Sequence, residues 1–216
     1  AVQPNPVLRR AAEDFARYLA RTGSFSHTAD GRQPGDRAKA AGYDFCIVSE
    51  NLASNLDSRG FETMQLASEA VEDWKASPGH RKNLVDAHVS EIGVAVAKAP
   101  GEEKYLSVQL FGRPVSQRYE FTVDNATEMT VAYTFAGRPF TVEKRRIATH
   151  TECVPGTLTF VSAGSWLSKQ SLSATFGATS GANFLIESSE GAGSVVVREV
   201  KAVPAQVATP TAVDKR

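Results

Sequence analysis

The chain has 216 residues, 42% of them hydrophobic and 22% charged, with 24 Lys and Arg balanced by 24 Asp and Glu. That composition excludes a disordered chain, which needs few apolar residues and a large net charge. It also leaves no basic footprint for nucleic acid or anionic lipid, and no apolar run approaches the ~20 residues that would cross a bilayer as a helix.

Asn5-Pro6 reads as a helix cap and first helical residue, because Pro lacks the N–H that would go unsatisfied there. Val7, Leu8, Ala11, Ala12, Phe15, Tyr18 and Leu19 follow at helical spacing, and Gly23 sits where a C-terminal cap belongs. A second helix is predicted from about Phe61 to Ser77. Its apolar stripe is Leu66, Ala67, Ala70, Val71 and Trp74, which places Trp74 in the core, and Pro78-Gly79 stops it. A turn or short helix covers His80 to Leu84. Ile92, Val94 and Val96 then alternate with Gly93, Ala95 and Ala97, predicting a strand with one bulky and one small face. Pro100-Gly101 turns the chain, and Tyr105 to Phe111 returns as the hairpin partner. Helices followed by a hairpin predict an α+β fold with αβα layering.

After Gly112-Arg113-Pro114 the texture changes. Tyr119–Val123, Met129–Phe135, Phe140–Glu143, Thr157–Val161, Asn183–Glu187 and Ser194–Val200 are short, rich in β-branched and aromatic residues, and mostly separated by turn residues. That pattern predicts a small antiparallel sandwich. The expected division is therefore 1–115 for the helical domain, 116–203 for the all-β domain and 204–216 for a Pro-, Ala-, Thr- and Val-rich tail or linker.

Common catalytic signatures are missing: there is no Gly-x-Ser-x-Gly, His-Glu-x-x-His, phosphate-cradling glycine loop or Cys-x-x-Cys. Four histidines remain. His88 and His150 have no partner pattern and are expected at the surface, as are Arg81 and the basic cluster Lys144-Arg145-Arg146. His27 lies in Ser24-Phe25-Ser26-His27 after the first helix, and His80 in Ser77-Pro78-Gly79-His80-Arg81 where the second one breaks. Between them stands Ser49-Glu50-Asn51-Leu52-Ala53, a carboxylate and an amide that would be costly to bury without partners. Two imidazoles and a carboxylate suit a divalent metal such as zinc. Spacing alone leaves open whether the three converge, and each taken singly reads as a capping or surface residue.

Glu50-Asn51-Leu52-Ala53 resembles the Gly-Glu-Asn-[Leu/Ile]-Ala signature of the cysteine-rich secretory, antigen-five and pathogenesis-related (CAP, or SCP) superfamily, with Ser49 in place of the usual Gly. Trp74 with Ser77-Pro78-Gly79-His80-Arg81-Lys82-Asn83-Leu84 is similar to the bacterial form of the family's Trp-x-x-Ser-x-Gly-His-x-x-x-[Leu/Met] segment. Glu91-Ile92-Gly93-Val94-Ala95 and Tyr105 to Phe111 resemble the strands that close the domain. The blocks fall in family order across roughly residues 5–114, while 116–216 resembles nothing that can be named.

The resemblance implies an αβα sandwich with a surface cleft in which two His and two Glu converge and can hold a divalent ion, often zinc. By motif, His27, Glu50 and His80 match three of the four. The family's other glutamate, three residues after the Trp, is Ser77 here, so any zinc would be weakly held; Glu91 stands as a compensating carboxylate. The resemblance further implies an exported bacterial protein, periplasmic or secreted, whose leader has been removed. In such a compartment Cys46 and Cys153, too few for a disulfide scaffold, are expected to form one bridge.

Three functions compete. The favoured one is a binding module that takes a small ligand, glycan or protein partner at the cell envelope, with His27, Glu50, Ser77 and His80 lining the cleft. The second is a hydrolase in which His27, Glu50 and His80 activate water directly or through a metal, with Ser77 as a nucleophile candidate. The third is a structural or adhesive role for the all-β domain.

Overall fold

The computed structural model describes residues 1–161, 173–189 and 195–201, and the expected tail at 204–216 lies outside them. The chain is mixed α+β and separates into two compact units, residues 1–118 and 119–216.

In the first unit, α1 (Pro6–Thr22) begins where Asn5 Oδ1 accepts from the N–H groups of Val7 and Leu8, and ends at Gly23, whose φ of 70° closes a left-handed cap. α2 (Pro34–Ala40) follows, then β2 (Phe45–Leu56), α3 (Thr63–Ala76), α4 (Pro78–Leu84), β3 (Glu91–Lys98) and β4 (Lys104–Pro114). With the two-residue β1 (Gln3–Pro4) these strands form one sheet in the order β1-β3-β4-β2, antiparallel except that β1 runs parallel to β3. Pattern reading anticipated α1, α3, α4, β3 and β4 but not α2 or β2. The seven residues of α2 are too few for periodicity, and β2 carries Ser, Asn and Glu where alternation would need apolar residues.

Successive strand residues face opposite sides, which makes this sheet the middle of three layers. Leu52, Ala95, Leu106, Val108 and Leu110 pack with Leu8, Ala12, Phe15 and Leu19 of α1 and Ala38 of α2. On the other face Ala53 packs with Ala70 and Trp74 of α3. The small face of β3 is where α1 lies. A Cβ built on Gly93 would come within 2.2 Å of Leu8 C and Arg9 N, so only the absence of a side chain allows that approach.

The second unit is all β. β5 (Tyr119–Asn125), β8 (Arg146–Glu152), β11 (Ala182–Ser188) and β12 (Val195–Lys201) form a sheet in the order β12-β11-β5-β8. β6 (Val131–Phe135), β7 (Arg138–Val142), β9 (Gly156–Val161) and β10 (Ser173–Ala178) form another in the order β10-β9-β6-β7. All pairings are antiparallel except β5 with β11, a departure from the expected purely antiparallel sandwich. Phe121, Val123, Phe184 and Ile186 of one sheet meet Tyr133, Phe135, Leu158 and Phe160 of the other in a shared core.

His150, expected at the surface, is instead buried in that core. Its ring stacks on Phe121 at 4.6 Å and its Nε2 lies 2.7 Å from the Tyr133 hydroxyl, a bond between the two sheets. Burial lowers its pKa, as does the Arg138 charge, while Glu152 opposes them; burial likewise pushes Tyr133 up to about 12. His88 is half-buried, with its carbonyl accepting from Arg113. Lys144, Arg145 and Arg146 are exposed, Arg146 opening the edge strand β8.

Both cysteines are disulfide-bonded, and with no others in the sequence the bridge is Cys46–Cys153. Cys46 occupies the bulge where the register of β2 against β4 shifts, and Cys153 follows directly on β8.

Gly93→Ala should destabilise the first unit by about 3 kcal/mol, at the upper end of overpacking costs, because the added methyl meets backbone rather than a side chain that can yield. Denaturant unfolding measures this. A second expectation concerns pH. The folded pKa of His150 lies below its ordinary value near 6.5, so the unfolded chain takes up the proton first. Stability of the second unit is therefore full above about pH 6.5 and falls as pH drops toward the lower folded value. Thermal midpoints measured from neutral to acidic pH should decline, and His150→Gln should flatten that decline.

Candidate functional site

The candidate site forms at the β2 edge of the first sheet, where Glu50 and Asn51 point to opposite faces. Glu50 turns toward α2 and the loop after α1. Its side chain is 1% exposed, and such a carboxylate needs opposite charge and hydrogen bonds to remain there. Arg37, on α2 and itself 3% exposed, supplies both: Nη2 donates to Oε2 at 2.8 Å and to Oε1 at 3.0 Å. The same guanidinium donates to Asp30 Oδ1, the Arg32 carbonyl and the His27 carbonyl, and lies over the Phe15 ring. Burial works to raise the Asp30 pKa, but hydrogen bonds from Arg32 and the Arg37 charge overcome it and hold the carboxyl below its usual range.

His27 completes this group. Its Nδ1 lies 2.8 Å from Glu50 Oε1 while its side chain stays 48% exposed, so a buried carboxylate orients a half-exposed imidazole. Among the described residues Nε2 of the ring has no hydrogen-bond partner.

Asn51 turns to the other face. Its amide donates to the His80 carbonyl at 3.2 Å and to Gln109 Oε1 at 3.0 Å, and its Oδ1 accepts from Asn83 at 2.8 Å. Asn83 also donates to the Glu50 carbonyl, and Trp74 Nε1 donates to the Leu52 carbonyl at 2.9 Å. These bonds hold α4, and with it His80, against the strand. Burial lowers the His80 pKa, and the nearby His27 lowers it further, so this imidazole keeps its neutral form to lower pH than an ordinary histidine.

The expected residues thus divide. His27 and Glu50 are in direct contact, and His80 is near enough to sense His27. Ser77 serves as the junction of α3 and α4 through its backbone, donating to the Asp73 carbonyl and accepting from Arg81, and its side chain makes no capping bond. Glu91 does not compensate for the missing carboxylate: it sits at the start of β3 and accepts from the Tyr43 hydroxyl at 2.5 Å. Burial, reinforced by Glu91, raises the Tyr43 pKa. Among the described residues no group of three or more His, Cys, Asp or Glu is arranged to hold a metal ion. The physical reason is Arg37, whose cation already occupies both Glu50 oxygens. Sequence reasoning missed Arg37, Asp30, Asn83 and Gln109; a charged residue on a seven-residue helix gives no periodic signal, and its partner lies 13 positions away.

Arg37→Met, similar in volume but uncharged, should cost about 3–5 kcal/mol because it strands a buried carboxylate. Adding Glu50→Gln should recover much of that loss. Denaturant unfolding of the two variants measures both effects.

Comparison with known proteins bears on the first unit. The cysteine-rich secretory protein family (CAP) matches residues 1–111, just over half of the chain. Similar solved structures include an outer surface protein from Borrelia burgdorferi, 24% identical with a TM-score of 0.45 over 52% of this chain and 77% of that one. Another is an extracellular protein containing an SCP domain from Bacillus anthracis str. Ames, 22% identical with a TM-score of 0.41. That match covers 52% of this chain but only 33% of the Bacillus chain. No curated protein matches. The αβα unit, with its Glu-Asn strand and its histidine at the α3–α4 break, makes this chain a member of the cysteine-rich secretory protein (CAP) family.

Proposed function

We propose that the chain is an extracytoplasmic binding module whose cleft presents two imidazoles, His27 and His80, to a small polar ligand such as a glycan. The Glu50 carboxylate carries this reading. Because Arg37 and His27 take its oxygens, it is neither a free general base nor an open metal ligand, and its remaining role is to orient His27 with Nε2 available. A bridged cysteine pair supports an oxidising compartment. No helix among the described residues is long and apolar enough to cross a membrane.

A hydrolase would need a nucleophile held against a base. Ser77 does not meet that need, since among the described residues it makes no hydrogen bond to His80.

The donor set accommodates zinc only loosely. His27 Nε2 and the His80 ring would hold the ion, with Glu50 as the outer carboxylate that orients His27. A bound ion would act as a Lewis acid toward ligand oxygens.

Zinc is therefore a convenient probe of the cleft. Calorimetry at about pH 7.5 should give micromolar or weaker affinity, falling as pH drops through the imidazole range near 6.5. The double variant His27→Ala, His80→Ala should remove binding and leave the thermal midpoint of the metal-free protein little changed. Absence of heat, or sub-nanomolar affinity, would contradict the two-imidazole site. Turnover of an activated ester that disappears in His80→Ala would favour the hydrolase instead.

A further inference from the structure

The two edges of the first sheet are finished differently. On the β2 edge the carbonyls of Glu50 and Leu52 are met by Asn83 and Trp74. On the opposite edge β1 pairs with β3 only at Glu91 and Ile92, and the Asn5 N–H adds one bond to the Ile92 carbonyl before Pro6 turns the chain into α1. Odd-numbered residues of β3 direct their backbone groups to β4, as the Ala99 N–H to Lys104 carbonyl bond shows at the hairpin end. The N–H and C=O groups of Val94 and Val96 therefore face outward, and among the described residues nothing pairs with them.

The same two residues expose their side chains, Val94 to 43% and Val96 to 50%. They form one wall of an apolar groove of about 500 Å³, whose other walls are Leu66, Val71 and Trp74 of α3 and Tyr105 of β4. Ser107 also lines it, its buried hydroxyl without a hydrogen-bond partner among the described residues.

We propose that this edge is a docking site for an extended peptide segment of a partner protein. The segment adds a strand beside Gly93 to Lys98 and seats alternate apolar side chains in the groove. Two features point to the same occupant. A small apolar molecule could fill the groove but could not pair a row of backbone amides and carbonyls, whereas a strand does both. The position also continues a ladder that β1 has begun. α1 covers the opposite face of β3, so an added strand enters from the side. The β3 edge is the opposite edge of the sheet from β2, which carries Glu50.

Amide hydrogen exchange on the full chain tests this in two steps. In dilute protein the Val94 and Val96 amides should exchange freely while those of Gly93 and Ala95 are protected. Random nonapeptides displayed as a library and selected on the chain should enrich sequences alternating in apolar residues. At saturation a selected peptide should slow exchange at Val94 and Val96 by about tenfold or more. N-methylating its alternate amides, or Val96→Lys in the protein, should remove that protection. The proposal is overturned by amides already protected in dilute protein, by failure to recover any peptide, or by selected peptides that bind without slowing Val94 and Val96. Protection that grows with protein concentration alone would overturn it too, by assigning the edge to a second copy of the chain.

Discussion

A carboxylate held at 1% exposure on an edge strand is the constraint around which the first unit is arranged. Without a counter-charge, burying this carboxylate would be costly. Arg37 supplies one, and in doing so it fixes α2 against β2 and ties down the Asp30, Arg32 and His27 loop through three further hydrogen bonds. In the same loop the Tyr18 hydroxyl donates to the Ala29 carbonyl, while the His27 ring is held by Glu50. The orientation of His27 is therefore a consequence of a buried ion pair rather than of packing.

The adjacent amide performs the matching task on the other face. Asn51 cannot satisfy its donors and acceptor from its own strand, so Asn83, Gln109 and the His80 carbonyl do so, drawing α4 onto the sheet. One dipeptide on one strand thereby positions two histidines that arrive from different layers. Because the charge on Glu50 is already compensated by Arg37, this group of residues differs chemically from one built on free carboxylates.

The second unit follows different physics. Its two sheets share an aromatic core in which Phe121, Phe135 and Phe184 meet edge and face, and a buried polar bond, His150 to Tyr133, crosses it. An aromatic core of this kind tolerates an imidazole while it is neutral, which couples the integrity of the sandwich to pH. Asn125, fully buried, donates to the carbonyls of Met129, Val142 and Glu143 and holds the connections around β5 in place.

The sequence by itself determined whatever rests on local periodicity and local backbone chemistry. α1 was readable from its stripe, its Asn5-Pro6 start and its Gly23 stop. The small face of β3 was readable from Gly93, Ala95 and Ala97, and the change of texture after Pro114 announced a β-rich segment. The motif blocks marked His27, Glu50 and His80 as belonging together. What tertiary structure decided was which partner each polar group found. Arg37 captured Glu50, Tyr43 captured Glu91, Ser77 became a helix junction, and His150 entered a core instead of the surface. β2 escaped pattern reading for the same reason, since its polar residues are buried by pairing and not by hydrophobicity. Periodicity is a property of neighbours along the chain, whereas the partner of a buried polar group lies 13 residues away for Glu50 and 17 for His150. Only the folded geometry brings such pairs within hydrogen-bonding distance.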